Sequence, residues 1–558
     1  MRYTEAMEFT TDKMYSVRDF SLPVDADISD VKTLFAETLG VPADTFEMTV
    51  LRESIDARDK RDIRKIYQLA LTFNEIPVGK AFTQAMKRYH AEPYDEPALT
   101  VRRGSKRLEH RPIIVGFGPA GIFAAYLLAA EGYAPLVLEQ GDPVDERRAA
   151  VDHFWRTGIL DVHSNVQFGE GGAGTFSDGK LMTRVKDPRV REILRILVEH
   201  GAPRDILYKQ KPHIGTDLLG DIMRSMREKI IADGGEVRFR AALNDLTIQS
   251  VTEDLRKVVG VTTDEATLPA QHVILATGHS ARATFRMLAD RGVRMEPKPF
   301  AVGFRIEHTQ DFINRTQYGD PNVAAHLGAA EYRLTYRNPD GKHGVYTFCM
   351  CPGGEVVNAS SQLGRLAVNG MSYHARDGRN ANSAIICQIG PDDYGKDLFA
   401  GLEFQETIEE KAFRLGGEKA QIPVQSVGFF MNGDPSISAD PFADTRIRSA
   451  CAAGTYDADL RSLYPPAVTE ALRAAIHDMD RRLPGFADPN ALLSAPETRS
   501  SSPLRVTRSD ISGESVNTRG LFPAGEGAGY AGGIVSSALD GIKQALRIIG
   551  DYAPFTDN

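Results

Sequence analysis

From Pro112 onward the chain repeats a short run of apolar residues, a turn and an apolar helix. Ile113-Ile-Val leads into a glycine-rich turn and then the helical run Ile122 to Ala130, and Pro135-Leu-Val-Leu is a second such run. Leu219, Ile222, Met223, Met226 and Ile230 fall on one face of a long helix, followed by Val237-Arg-Phe and the run Val273-Ile-Leu-Ala. Continuous apolar runs between helices predict parallel strands covered on both faces. Beyond Pro299 the pattern turns β-rich: Ala301 to Ile306, Glu331 to Tyr336 and Gly344 to Met350 read as strands, with Asn338-Pro-Asp-Gly as the turn between the last two. α/β character returns near Gly520.

The first 105 residues read as a small α/β unit. Tyr15 to Leu22 and Phe46 to Leu51 are predicted strands, and Ile28 to Leu39 a helix through Val31, Leu34, Phe35 and Leu39. A basic linker, Arg102-Arg-Gly-Ser-Lys-Arg, ends it. The expected organisation is an N-terminal α/β domain (1–105), an α/β domain (106–298), a mainly β insert (299–505) and the completion of the α/β domain (506–558). No internal repeat or low-complexity stretch is visible in the sequence.

The glycine turn is Gly116-Phe-Gly118-Pro-Ala-Gly121, set between strand and helix, and the next strand ends at Glu139, eighteen residues after Gly121. Gly116 permits the tight turn, Gly118 lets backbone approach a pyrophosphate, and Gly121 lets helix and strand pack closely. The helix N-terminus offers free N–H groups to phosphates, and Glu139 stands where an acid binds ribose hydroxyls. This is a Rossmann-type dinucleotide site.

Three further segments favour FAD over NAD. Glu139-Gln-Gly-Asp-Pro-Val-Asp-Glu-Arg147 sets a basic residue after the acid, within reach of a diphosphate. Ala276-Thr-Gly278 ends a buried strand with small residues that permit close approach. Leu521-Phe-Pro-Ala-Gly525-Glu526-Gly-Ala-Gly-Tyr-Ala-Gly-Gly533 runs into the helix Ile534 to Ile549, where Glu526 can accept from ribityl hydroxyls and the helix end favours an anionic reduced flavin.

Together these segments resemble the glutathione-reductase-type FAD fold in its single-dinucleotide branch, which includes fumarate-reductase-like flavoproteins. Gly169-Glu-Gly-Gly-Ala-Gly-Thr-Phe-Ser-Asp-Gly-Lys-Leu, His213-Ile-Gly-Thr-Asp, Ala276-Thr-Gly-His-Ser-Ala-Arg, Phe348-Cys-Met-Cys-Pro-Gly-Gly, Pro496-Glu-Thr-Arg-Ser-Ser-Ser-Pro and Arg52-Glu-Ser-Ile-Asp-Ala-Arg more closely resemble a bacterial family of FAD-dependent dehydrogenases. The resemblance implies FAD contacts from Gly116, Gly118, Gly121, Glu139, Arg147, Gly278, Gly525 and Glu526, with the loop Gly171 to Lys180 near the isoalloxazine. Pro119, Ala120, Gln140, Gly171, Gly172, Thr175, Lys180, Thr277, Gly533 and Ile534 complete the candidate cofactor-binding set. The resemblance supplies no substrate.

Composition narrows the setting. The 558 residues are 42% hydrophobic and 25% charged, with a net charge of −9, which suits a multidomain globular protein without an affinity for nucleic acid or anionic membranes. No apolar run has the length of a membrane span, and Met1 to Glu8 does not read as a secretory signal, so a cytoplasmic location is expected. Four cysteines form neither a disulfide framework nor, lacking His or Asp neighbours, a metal site.

Candidates for chemistry are few. Cys349 and Cys351 could form a redox pair or attack the flavin as thiolates, but alternation along a strand favours both packing as small apolar groups. Arg499 and Arg505 flank Ser500-Ser-Ser-Pro, and either could clamp a substrate carboxylate, lie in solvent or bridge domains. His279 is a possible proton donor or a histidine satisfied by a backbone carbonyl.

No second glycine fingerprint is present, so NAD(P)H would be a transient reductant in the same site, or a protein would deliver the electrons. The leading expectation is an FAD-dependent oxidoreductase transferring hydride at flavin N5 to or from a small molecule. One alternative is an RNA-modifying flavoprotein, suggested by Arg58, Lys60, Arg61, Arg64 and Lys65. Glu53, Asp56, Asp59 and Asp62 interleave with these, as on a solvated helix face. The other alternative is a flavin-bound sensor or adaptor whose N-terminal unit binds a protein partner.

Overall fold

The computed structural model describes residues 9–59, 61–97, 99–432 and 447–555. Its centre is a five-stranded parallel sheet in the order Leu521–Pro523, Val273–Leu275, Ile113–Val115, Leu136–Leu138, Glu236–Arg238. The first four strands are fully buried triplets, because helices cover both faces. Pro119–Ala130 packs against the C-terminal helix Ile534–Asp551 in one apolar core. The helices meet closely: a Cβ on Gly541 would lie 2.0 Å from the Ala120 carbonyl oxygen. Gly121 is needed for the reason read from the sequence, since a Cβ there would fall 1.9 Å from the Gly116 carbonyl oxygen.

The segment after Pro299 is built on a seven-stranded sheet in the order Thr335–Tyr336, Val345–Cys351, Asn380–Ile389, Phe300–Thr309, Leu492–Glu497, Ile422–Ser426, Thr455–Asp457. Neighbours are antiparallel except the last pair. Residues of Ala400–Leu415 and Pro466–Arg482, helices that strand periodicity does not foretell, share its core. Only Thr335–Tyr336 of the expected strand 331–336 pairs. Met295–Pro297 and Leu504–Val506 pair antiparallel, holding the entry and exit of this segment together beside the parallel sheet.

The N-terminal unit is a β-α-β-β-α-β arrangement. Its sheet order is Phe46–Asp56, Arg64–Phe73, Met14–Pro23, Glu92–Pro93, and residues of Val31–Leu39 and Lys80–Arg88 share its core. The second strand outruns its expected end at Leu51 because a register shift between Val50 and Arg52 breaks the alternation. At this edge Glu53 docks on the central domain: its N–H donates to the Tyr208 carbonyl (2.7 Å) and its carbonyl accepts from Gln210 N–H (2.9 Å).

The interleaved charges around Arg58 do not form a helix face. The described ones run from the end of the strand Phe46–Asp56 through the connection to the start of Arg64–Phe73, and Arg58–Asp56, Arg61–Asp59 and Arg64–Asp62 pair locally. Lys60 and residues 1–8 lie outside the described residues. Among the described residues no helix is long and apolar enough to cross a membrane.

Candidate functional site

The carboxyl ends of the parallel strands open on a cleft of about 1550 Å³, part of it continuous with solvent, which runs from Glu139 to the wall of the inserted sheet. This is where open α/β sheets bind ligands. Two helices begin on its rim, Pro119–Ala130 after Gly118 and Ile534–Asp551 after Gly533, and neither has a side-chain cap. Their first N–H groups and positive dipole ends are free for an anion.

Glu139 organises the nucleotide end. Its Oε2 accepts from Phe117 N–H (2.8 Å) and its Oε1 from Gly141 and Gly169 N–H (both 2.9 Å), so one carboxylate ties three loops together. A carboxylate offers about four acceptor sites, which leaves one for a ribose hydroxyl. Gly278 (φ 76°) and Gly533 (φ 104°) line the cleft, and a Cβ built on either meets nothing within 4 Å. Both side-chain positions are open space that a ligand can fill. An acid, two uncapped helix ends and a glycine-walled channel are the donor set and shape that a dinucleotide requires, and they fit FAD.

Most sequence-predicted contacts converge on this cleft: Gly116, Gly118, Pro119, Ala120, Glu139, Gln140, Gly172, Lys180, Thr277, Gly278, Gly525, Glu526, Gly533 and Ile534 all line it. Among the described residues none donates a hydrogen bond to the Glu526 carboxylate, and burial pushes its carboxyl up to about 7 against the pull of Lys298.

Four predicted contacts stand behind the wall. Gly121 serves helix packing. Gly171 (φ 85°) turns the chain against Thr175, whose hydroxyl donates to the Glu170 carbonyl. Arg147 does not reach toward a diphosphate. It is fully buried, and its guanidinium donates to the carbonyls of Asn165, Val166, Gly169 and Glu170. Burial is tolerable because these acceptors satisfy it, and the result is a clamp on the loop that frames the cleft.

The opposite wall comes from the inserted segment: Phe348, Cys349, Cys351, Asn369, Gly370, Glu497, Arg499 and Ser500. The expected packing of both cysteines on one strand face does not hold. A register shift between Phe348 and Cys351 and a left-handed Cys349 (φ 42°) break the alternation, leaving Cys349 exposed to the cleft and Cys351 buried. The surrounding depth of protein pushes the Cys349 thiol up to about 12 and raises Cys351 too, so neither rests as a thiolate.

Arg499 is neither a solvated residue nor a free carboxylate clamp. It pairs bidentately with buried Glu409 (2.9 and 2.8 Å) and donates to Ser361 Oγ (2.6 Å). Arg505 pairs with Glu296. His279 has the Ser280 hydroxyl, not a backbone carbonyl, as its partner. Burial first, then Arg499 and Arg282, hold its imidazole down at about 3, which makes it a neutral side chain rather than an imidazolium donor.

Several residues of this wall were not found by sequence reasoning. Arg305 is fully buried, with Nε on Glu497 Oε2 (2.8 Å), Nη1 on the Cys349 carbonyl (3.0 Å) and Asn382 Oδ1 (2.8 Å), and Nη2 on Asn369 Oδ1 (3.1 Å). It therefore fixes three cleft residues at once. Glu497 lies inside the quoted Pro496-Glu-Thr-Arg motif, which was the signal available. Arg282 likewise ends the Ala276-Thr-Gly-His-Ser-Ala-Arg segment, whereas Glu409 lies in none of these segments. Among the described residues no group of His, Cys, Asp or Glu is set to hold a metal.

Residues 299–500 match a family described as "FAD-dependent protein, C-terminal domain-like", and residues 14–72 match a domain of unknown function. An uncharacterized protein of Clostridium beijerinckii is 42% identical over 542 residues, 96% of this chain and 98% of that one. Protein FixC of Salmonella typhi is 24% identical over 408 residues, 69% and 87% of the two chains. Among solved structures, a geranylgeranyl bacteriochlorophyll reductase-like protein of Thermoplasma acidophilum overlaps 80% of this chain and 79% of its own at 12% identity and a TM-score of 0.33.

Proposed function

The chain belongs to the family of the Clostridium beijerinckii protein, within the FAD flavoprotein superfamily, and on that premise we propose that it is an FAD-dependent oxidoreductase whose small-molecule substrate binds against the inserted sheet. One observation supports this most: a single cleft runs from Glu139 past both uncapped helix ends to Glu497 and Arg499. Gly116, Gly118, Glu139, Gly278 and Gly533 would hold the dinucleotide, with Glu526 toward the ribityl chain. Bound there, FAD supplies two-electron transfer.

The chain's own residues supply position and protons. Arg305 orients Glu497 by one carboxylate oxygen, and the other has no partner among the described residues. Burial raises the Glu497 carboxyl although Arg305 opposes it, so it can hold a proton and exchange it at Oε1. Residues of the loop Gly169–Lys180 line the cleft together with that wall.

The reading is tested by mixing the purified yellow protein anaerobically with NADH and with NADPH. Bleaching by either makes nicotinamide the reductant and directs the search to electron-poor acceptors. A protein that stays oxidised takes its electrons from the substrate or from a protein donor, and a screen of reducing substrates then follows. A chain that turns over nothing in both screens, while binding FAD, contradicts the enzymatic reading.

A further inference from the structure

The acids and bases around the inserted wall do not balance. Glu409 is completely buried and holds two guanidiniums bidentately, Arg282 (2.8 and 2.8 Å) and Arg499 (2.9 and 2.8 Å). Glu406, on the same helix, pairs with Arg286 and Arg365 and lies 4.0 Å from Arg282. Four arginines thus share two carboxylates. On the other flank Glu331 lies between Lys180 and Lys211, each at 2.7 Å. Burial alone would raise its carboxyl, yet the two ammonium groups hold it down at about 2.

Of the remaining carboxylates near this wall, buried Glu307 accepts from Asn380 and Ser494 without a cation of its own and burial raises its carboxyl, while the others have cations. Asp178 pairs with Arg376, Glu497 with Arg305, and Glu526 faces Lys298. In a chain whose net charge is −9, this wall therefore carries an excess of positive charge.

Arg499 and Lys180 are the members of the two overloaded clusters that line the cleft. Lys180 uses one ammonium hydrogen on Glu331 and keeps two. Asn369 also lines the cleft; its Oδ1 accepts from Arg305 and from Gly370 N–H, while its Nδ2 has no partner among the described residues. Arg282 Nε is buried and unpaired, as happens when two guanidiniums crowd one carboxylate. A buried cation without its own counter-ion is costly, and an anion placed in the cleft would offset that cost.

Building on the flavoprotein reading, we propose that the inserted wall of the cleft is a binding site for a small organic carboxylate, drawn by the excess charge of the Arg282–Glu409–Arg499 and Lys180–Glu331–Lys211 clusters. The carboxylate sits between Lys180, Asn369 and Arg499, with the arginine acting through its field and its remaining N–H rather than through a bidentate fork.

The test uses the full chain loaded with FAD, at constant ionic strength set with chloride. Acetate and its neutral counterpart acetamide are titrated separately while the visible flavin band is followed. Acetate is expected to perturb the band saturably, with acetamide at least about tenfold weaker. K180Q and R499Q each weaken acetate about tenfold and leave acetamide unchanged, while R499K keeps acetate within about threefold. K180Q keeps the test decisive if R499Q fails to fold, because Lys180 lies in the less buried cluster. No saturable change with acetate, or equal binding of acetate and acetamide, overturns the proposal and leaves the excess charge facing the flavin alone. A chain that takes up no FAD shows no yellow band before any acetate is added, which removes the flavoprotein premise and this proposal with it.

Discussion

Replacing Glu139 with glutamine tests whether one carboxylate holds the nucleotide end of the cleft together. Three backbone N–H groups converge on it, Phe117 on Oε2 and Gly141 and Gly169 on Oε1. An amide has one acceptor oxygen. In its best orientation E139Q keeps Gly141 and Gly169 and turns an NH2 group toward the Phe117 N–H, leaving that donor unpaired. A hydrogen bond to a charged group contributes roughly 1.5–3 kcal/mol, and the two retained bonds weaken as the charge goes. A total of about 3 kcal/mol follows, roughly two powers of ten in affinity if it falls on cofactor binding. Much of it will, because the loop that loses its tie, Gly116–Gly118, and the loop whose tie weakens, at Gly169, line the cleft. FAD titration of the cofactor-free variant by flavin fluorescence, alongside its thermal unfolding, measures both parts. E139D, which keeps the charge, should lose less. An E139Q chain that binds FAD within about twofold of the parent and melts at the same temperature would refute the reasoning.

Other expectations follow from the same geometry. In the FAD-free chain the Glu526 carboxyl, raised from 4.5 to about 7, contributes stability that is full below about pH 4.5 and is lost as pH rises through about 7. The loss is at most about 3 kcal/mol. Denaturant unfolding of E526Q across that range should lack this slope, and an identical slope would assign the titration elsewhere. E409Q leaves two buried guanidiniums sharing a neutral amide and should destabilise by about 3–5 kcal/mol, read as a lower denaturation midpoint; a change under about 1 kcal/mol would mean that the arginines find other partners. Cys349, with its thiol pushed up to about 12, should react with iodoacetamide at pH 8 roughly 100-fold more slowly than a free thiol, although it faces the cleft. Alkylation at the rate of a free thiol would show that the thiolate is populated.

How much of this was legible in the sequence depended on how locally each feature is determined. Gly116 and Gly121 were readable because the tight turn and the helix packing are fixed by short spacings, and the same short spacing brings Gly118 and Glu139 to one cleft. The strand at Val273 was readable as an apolar run, although its place between Ile113–Val115 and Leu521–Pro523 depends on pairing. Arg147 was misread, since a basic residue after the acid looks the same whether it reaches a phosphate or turns inward to four carbonyls. The cysteines were misread because a bulge leaves no mark in the strand pattern. The Glu409 cluster was beyond reach: its partners lie 127 and 90 residues away, and the glutamate sits in an ordinary helical sequence. The charge excess at the inserted wall follows from that cluster and was equally hidden.

The claim that the cleft holds FAD is tested most directly by titrating the cofactor-free chain with FAD, together with two variants that place a side chain in the cleft, G278V and G533V. Their new side chains meet no protein atom within 4 Å of the Cβ, so the open space itself is what they occupy. Both positions have positive φ, so each variant is also melted without cofactor to measure its own backbone strain. The account predicts that the parent takes up one FAD per chain and stays yellow through gel filtration. Both variants should lose binding by far more than their change in stability explains. A parent that remains colourless, or variants that bind FAD as the parent does, would contradict it.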